Sequence, residues 1–190
     1  MSTAPTHSLI SDDDGYLFNE GSHFRLYDKL GAHVIADGDN FGTYFAVWAP
    51  DAEAVSVIGD FNGWSRSTHQ LAPRKQTGIW EGYFPGVGKG SLYKYHVASR
   101  FHMYRVDKAD PFSIFNEIPP KTASIVWDLD YPWHDGEWML QRRHKNRLDQ
   151  PMAIYEMHLG SWRREERNRY RSLSYRELAP QRADYIEPAR

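Results

Sequence analysis

Apolar and polar positions alternate in short runs through the middle of the chain, from about Ala32 to Asp128. In Gly42 to Ala49, Thr43, Phe45 and Val47 fall on one face and Tyr44, Ala46 and Trp48 on the other. Both faces carry bulk, which places this strand inside a sandwich or under a flanking element. Val55 and Val57 oppose Ala54, Ser56 and Ile58 in the next run, which leads to Gly59. Gly78 to Phe84 forms another strand, ended by Pro85-Gly86. In Ser91 to Ser99, Tyr93, Tyr95 and Val97 oppose Leu92, Lys94 and His96. Ser99-Arg100 reads as a hairpin turn, Phe101 to Val106 as its return strand, and Ser124 to Trp127 as the closing strand. Trp48, Trp80 and Trp127 lie within these patterns and are expected in the core. Short strands at regular spacing, with turn signals between them, predict a mainly β chain built as a sandwich.

The flanks follow other patterns. Met1 to Ser8 is polar and expected to be disordered. Asp12-Asp13-Asp14 reads as a solvated loop. Ser22 to Leu30 reads as a short helix, capped by Ser22, with Phe24, Tyr27 and Leu30 on one face and Gly31 ending it. Tyr131-Pro132-Trp133 opens a linker, and Glu137 to Arg147 reads as a helix with a solvated basic face. After Pro151 comes an apolar strand, Met152 to His158, and then a charged loop. Ser174-Tyr175-Arg176-Glu177 is a capping-box pattern for a helix that Pro180 must kink or restart. The expected divisions are therefore 1–31, 32–130, 131–151 and 152–190.

Composition narrows the function classes. Aromatics make up 15% of the chain, with 7 Trp and 12 Tyr, which favours a β-rich core and contact with flat, partly apolar ligands such as sugars. The formal net charge of −2 gives nucleic-acid binding no electrostatic support. There is no Cys, which excludes disulfides and thiolate metal sites. The 9 His are scattered without zinc-like spacing, and no metal or cofactor is expected. No apolar run is long enough to cross a membrane, and the start shows no leader pattern, so the expected location is the cytoplasm.

The candidate chemistry centres on Gly59-Asp60-Phe61-Asn62-Gly63-Trp64. Gly59 frees the backbone, Asp60, Asn62 and Gly63 are turn formers, and Trp64 follows with no apolar neighbours in sequence. A large ring held at a loop by a rigid strand is a candidate platform for a flat, partly apolar ligand; equally, it could fold back as a lid on the core. This motif after a strand resembles the signature of the glucan-binding module CBM48. Further stretches resemble bacterial glycogen branching enzymes: Tyr16 to His33, Tyr44 to Pro50, Lys108 to Phe112, Lys121 to Tyr131 and Ile154 to Arg164. The resemblance runs from about Leu9 to Ile186.

The resemblance implies an immunoglobulin-like β-sandwich, followed by a helical linker and the first β/α unit of a (β/α)8 barrel. It implies binding of α-1,4-glucan (glycogen or maltooligosaccharide), with Trp64 as the stacking residue and Lys94 as the donor to sugar hydroxyls. Phe101 or Tyr104 lies near the place of a further aromatic platform, where the family has tryptophan. Thr122-Ala123-Ser124 stands where related kinase modules have Thr-Xaa-Asn. The family's reaction moves an α-1,4 chain end to a 6-hydroxyl and needs two carboxylates roughly 5–5.5 Å apart, supplied by the C-terminal ends of barrel strands. Those residues belong to later strands, so no catalytic residue is assigned here, and the missing barrel is an implied partner. The stretch after Pro151 is far shorter than the roughly 250 residues of a complete barrel. Glu187-Pro188-Ala189-Arg190 departs from the family, which points to a shortened or frame-shifted reading frame. A non-catalytic, monomeric branching-enzyme segment is the expectation. A stand-alone glucan-binding or regulatory module and a packing domain without sugar binding are the alternatives.

Overall fold

The computed structural model describes residues 7–186, apart from 38, 39, 75, 150, 153, 166, 168 and 169. Most of the expected disordered start, Met1 to Thr6, and the divergent end, Glu187 to Arg190, lie outside the described residues. The chain forms two units, 1–131 and 132–190.

The first unit is a mainly β sandwich. One sheet contains β1 (Gly31–Asp37), β2 (Asn40–Trp48), β4 (Ala72–Pro73) and β5 (Ile79–Pro85), in the order β1-β2-β5-β4. The other contains β3 (Ala52–Gly59), β6 (Leu92–Ser99) and β7 (Arg105–Lys108), with β8 (Ser124–Ile125) beside the start of β6. Every pairing is antiparallel. The register sets Val47 opposite Trp80 and Val57 opposite Tyr95. Phe45, Val47, Val55, Val57, Trp80, Tyr93, Tyr95 and Val126 fill the space between the sheets. The alternation in β2, β3 and β6 is thus the alternation of inner and outer faces.

The outer face of the first sheet is roofed by the N-terminal segment. Ile10 and Leu30 pack on Tyr44, Ala46 and Ile79. Glu81 is buried on this face, where its Oε2 accepts from Tyr44 Oη and Ser8 Oγ, each at 2.6 Å. Ser8 is therefore tied down rather than disordered.

The N-terminal helix differs from expectation. It is α1 (Asp12–Glu20), with Ser11 and Asp14 forming a reciprocal capping box. Three aspartates in the first turn, read from sequence as a loop, sit where the helix dipole favours negative charge. Gly21 ends the helix in a left-handed conformation. Ser22 to Leu30 keeps only a short 3-10 turn, Leu26–Asp28, because His23 and Lys29 both fold back onto the Asp14 carboxylate, at 2.9 and 3.0 Å.

Two of the three tryptophans expected in the core lie outside it. Trp80 is buried, and its Nε1 donates to the Ala49 carbonyl at 3.0 Å. Trp48 is 56% exposed and Trp127 is 39% exposed, the latter under the Lys89 ammonium at 4.4 Å. Trp48 is the last residue of β2 and Trp127 lies two residues past β8, so neither has a further strand above it. The hairpin return also starts late: residues 100–104 form the turn, and pairing begins at Arg105 opposite Ala98.

The second unit contains α2 (Gly136–Lys145), α3 (Leu159–Trp162) and α4 (Tyr175–Ile186). Glu177 Oε2 accepts the Ser174 N–H at 2.8 Å, completing the predicted capping box. α4 continues through Pro180 as one helix. Among the described residues from Met152 to His158 there is no strand. A lone apolar stretch has no neighbour to take its backbone N–H and C=O groups, so the expected strand does not form. Tyr155, Trp162 and Tyr185 instead gather, with Tyr185 5.5 Å from each of the other two rings. Among the described residues no helix is long and apolar enough to cross a membrane.

Candidate functional site

β3 ends at Gly59, where the backbone has no room for a side chain. A Cβ there would lie 2.2 Å from the Leu92 carbonyl oxygen and 2.4 Å from the Phe61 ring. A single 3-10 turn follows, Asp60–Asn62. Asn62 locks it: Oδ1 accepts the Gly59 N–H and Nδ2 donates to the Val57 carbonyl, both at 3.0 Å. Asp60 Oδ1 accepts the Leu92 N–H at 3.2 Å, which ties the corner to the start of β6. Phe61 turns inward onto the core. Gly63 and Trp64 then both adopt left-handed backbone, with φ of 60° and 61°. The Trp64 N–H donates to the Gly59 carbonyl at 2.8 Å. This conformation is free for glycine but costs a bulky residue about 1–2 kcal/mol. The corner thus turns one ring in and leaves the other outside both buried clusters, 40% exposed. Strain held at a bulky residue marks a position worth a functional reading.

The loop then returns along β3. The Val57 N–H donates to the His69 carbonyl at 2.9 Å and the Leu71 N–H to the Val55 carbonyl at 2.8 Å, so this stretch covers the strand's free edge. Burial among Phe61 and Phe84 pushes the His69 imidazole below its ordinary range. Ser56 Oγ donates to the Arg66 carbonyl at 2.8 Å. Arg66 reaches Asp107 on β7, Nη2 to Oδ2 at 2.7 Å, and the other oxygen of Asp107 meets His96 Nδ1 at 2.6 Å. The Arg66 guanidinium, with His96 beside it, holds the Asp107 carboxyl below the usual carboxylate range.

The register decides which candidates meet. Ile58 pairs with Lys94, Ser56 with His96, and His96 with Asp107, so these residues share the outer face of the second sheet. Gly59, the anchor of Trp64, pairs with Tyr93, next to Lys94. Trp64 and Lys94 therefore border the same end of the sheet. Lys94 Nζ donates to Thr122 Oγ1 at 2.7 Å. Phe101 is set apart. Ser99 pairs with Ala52 at the far end of β3, about 17 Å of strand from Lys94, and Phe101 follows in the turn, 54% exposed. Ser124, in the Thr-Ala-Ser stretch, is fully buried, and its hydroxyl is used by Asn116 and the Asp110 N–H.

Sequence reading missed Arg66, Asp107 and Thr122 as neighbours of this face. Alternation along β6 does put His96 beside Lys94, but Arg66 and Asp107 are 41 residues apart and nothing local pairs them. Two carboxylates are buried elsewhere. Asp110 Oδ2 accepts from Tyr93 Oη at 2.6 Å and Tyr95 Oη at 3.3 Å. Burial raises its pKa against the opposing pull of the Tyr93 hydroxyl. Glu81 is also met by the Arg74 guanidinium at 3.4 Å and Asp110 by the Phe112 N–H at 2.8 Å, so both carboxylates are fully partnered and hold the fold. Among the described residues no group of three or more His, Asp or Glu could hold a metal ion.

Residues 29–113 match the family model "Carbohydrate-binding module 48 (Isoamylase N-terminal domain)". The similarity extends beyond the module. The chain is 51% identical over 179 residues to the 1,4-alpha-glucan branching enzyme GlgB of Albidiferax ferrireducens, covering 94% of this chain and 28% of that one. With the GlgB of Aquifex aeolicus it is 52% identical over 183 residues, covering 95% and 28%. The chain thus spans little more than a quarter of the length of the curated relatives it matches. Among solved structures, a ligand-free PulA from Klebsiella pneumoniae overlaps 53% of this chain and 10% of its own, at 23% identity and a TM-score of 0.43.

Proposed function

We propose that this chain is the N-terminal, non-catalytic part of a 1,4-alpha-glucan branching enzyme and that its sandwich holds α-1,4-glucan weakly through Trp64 and Lys94. The observation that carries this reading is the Gly59–Trp64 corner. Four hydrogen bonds and a left-handed backbone keep the Trp64 ring out of the core, at the sheet end where Lys94 stands. The ring covers the apolar face of one glucose unit, and the ammonium, already held by a hydroxyl at Thr122, donates equally well to sugar hydroxyls. Phe101 serves a more distant unit, so it matters only for long chains. The stretch from Met152 to Ile186 is read as the first strand and helix of a barrel whose remaining strands would supply the strand's partners, with α2 as the linker helix. The reading includes a monomer in the cytoplasm, with glycogen as the partner.

Native gels cast with and without glycogen test the binding. The wild-type chain should be retarded by glycogen and by long maltooligosaccharides, and absence of retardation at any load would overturn the reading. In an iodine-stain assay on amylose the same chain should show no branching, since the family's catalytic carboxylates belong to later strands. Turnover that scales with protein would refute that part.

A further inference from the structure

The Trp48 ring lies on the opposite side of the sandwich from the Lys94 face and is not used by the site above. Tyr44, Ala46 and Trp48 share the outer face of the first sheet. Tyr44 and Ala46 are buried under the N-terminal segment, but Trp48 is 56% exposed. It lines a cleft of about 560 Å³ between the end of α1 and the β4–β5 connection. Trp80 also lines it, with its indole N–H used by Ala49. Phe18 meets Trp48 edge to face, with centroids 6.2 Å apart, and steadies the ring without covering it. Gly78, at φ +73°, leaves room for the indole, since a Cβ there would come within 3.1 Å of Trp48 Nε1. The rim carries Asn19, Gln76 and Arg100. Arg100 is fixed there by its bond to the Pro50 carbonyl at 2.6 Å.

We infer that this cleft is a second sugar-binding site, in which Trp48 stacks on a pyranose ring of an α-glucan and the Asn19 and Gln76 amides meet its hydroxyls. The volume suits a small ligand. An exposed indole face covers the C–H face of a sugar, and an amide both donates and accepts, as a hydroxyl requires. The choice of glucan rests on the proposed function. The existence of a second site does not, because Trp48 ends a strand of one sheet and Trp64 follows a strand of the other.

The two are separated by indole N–H signals in 15N spectra of the full chain, assigned from Trp48→Phe and Trp64→Phe variants and titrated with maltoheptaose. The Trp48 signal should shift saturably in the wild type and equally in Trp64→Ala. Asn19→Ala with Gln76→Ala, which leaves every buried side chain intact, should weaken that saturation about tenfold and leave the Trp64 response unchanged. A stationary Trp48 signal while Trp64 shifts would overturn the second site alone. A Trp48 shift that vanishes in Trp64→Ala would overturn it as well. Movement of Trp48 without movement of Trp64 would support the second site and defeat the first. If neither moves, both fail.

Discussion

Replacing Trp64 with alanine separates sugar binding from folding. The side chain is 40% exposed. A tryptophan offers about 250 Å² at most, so about 100 Å² of ring is open to a ligand. Covering that area with the apolar face of a sugar is worth about 2.5 kcal/mol at about 25 cal/mol per Å². That difference is roughly 70-fold in affinity. Association itself costs at least about 4 kcal/mol, more than one stacked ring supplies, so a short oligosaccharide binds weakly and the site depends on repeated engagement of long chains. A 70-fold loss from that level leaves nothing measurable. Folding should suffer far less. Trp64 belongs to neither buried cluster, so its removal opens no cavity in the core and costs only the transfer of a partly covered ring, about 1–2 kcal/mol. Trp80→Ala, in the core, provides the scale at about 3–5 kcal/mol. Glycogen affinity gels and thermal melts on both variants decide the matter. Trp64→Ala should lose retardation and melt well above Trp80→Ala. Retardation equal to the wild type, or a melting loss equal to that of Trp80→Ala, would show that the ring is a lid on the core.

Other outcomes follow from the same geometry. Gly59→Ala pushes a Cβ to 2.2 Å from a backbone oxygen that cannot yield, so it should cost about 1–3 kcal/mol in chemical unfolding and also weaken glycogen retention by displacing the corner. Asp110→Ala strands two buried tyrosine hydroxyls and should destabilise by about 2–4 kcal/mol, whereas Asp110→Asn keeps an acceptor for Tyr93 and should lose less; urea titrations compare the two. Asp107→Asn removes a carboxylate whose pKa is lowered in the fold, chiefly by the Arg66 hydrogen bond. The wild-type advantage should be complete above about pH 4, the ordinary aspartate value, and should disappear as pH falls through the lowered value. Arg66 is largely exposed, so that advantage should stay below about 1 kcal/mol in melts at pH 6, and a gap that widens on acidification would contradict it.

Much of this protein was written in local pattern. Period-two alternation identified β2, β3 and β6, because side chains on a strand change face at every residue whatever its partner, and Pro85-Gly86 marked the end of β5. The corner at Gly59 to Trp64 was equally visible, since turn chemistry depends on residues within hydrogen-bonding reach of their own backbone. The helix at Asp12 was written there too, in Ser11 and Asp14, but Phe24, Tyr27 and Leu30 offered a stronger apolar spacing, and only the fold-back of His23 and Lys29 onto Asp14 decided against it. Alternation assigns a face but not a depth, so Trp48 and Trp80 looked alike until strand ends and roofing segments were placed. Met152 to His158 has the composition of a strand, but a strand is a property of two chains side by side, and the described residues offer it no neighbour. The pairings of Arg66 with Asp107, Lys94 with Thr122 and Tyr44 with Glu81 join residues 41, 28 and 37 positions apart. No local rule links such residues. Sheet order and register bring them together, and with them the composition of the surface beside Trp64.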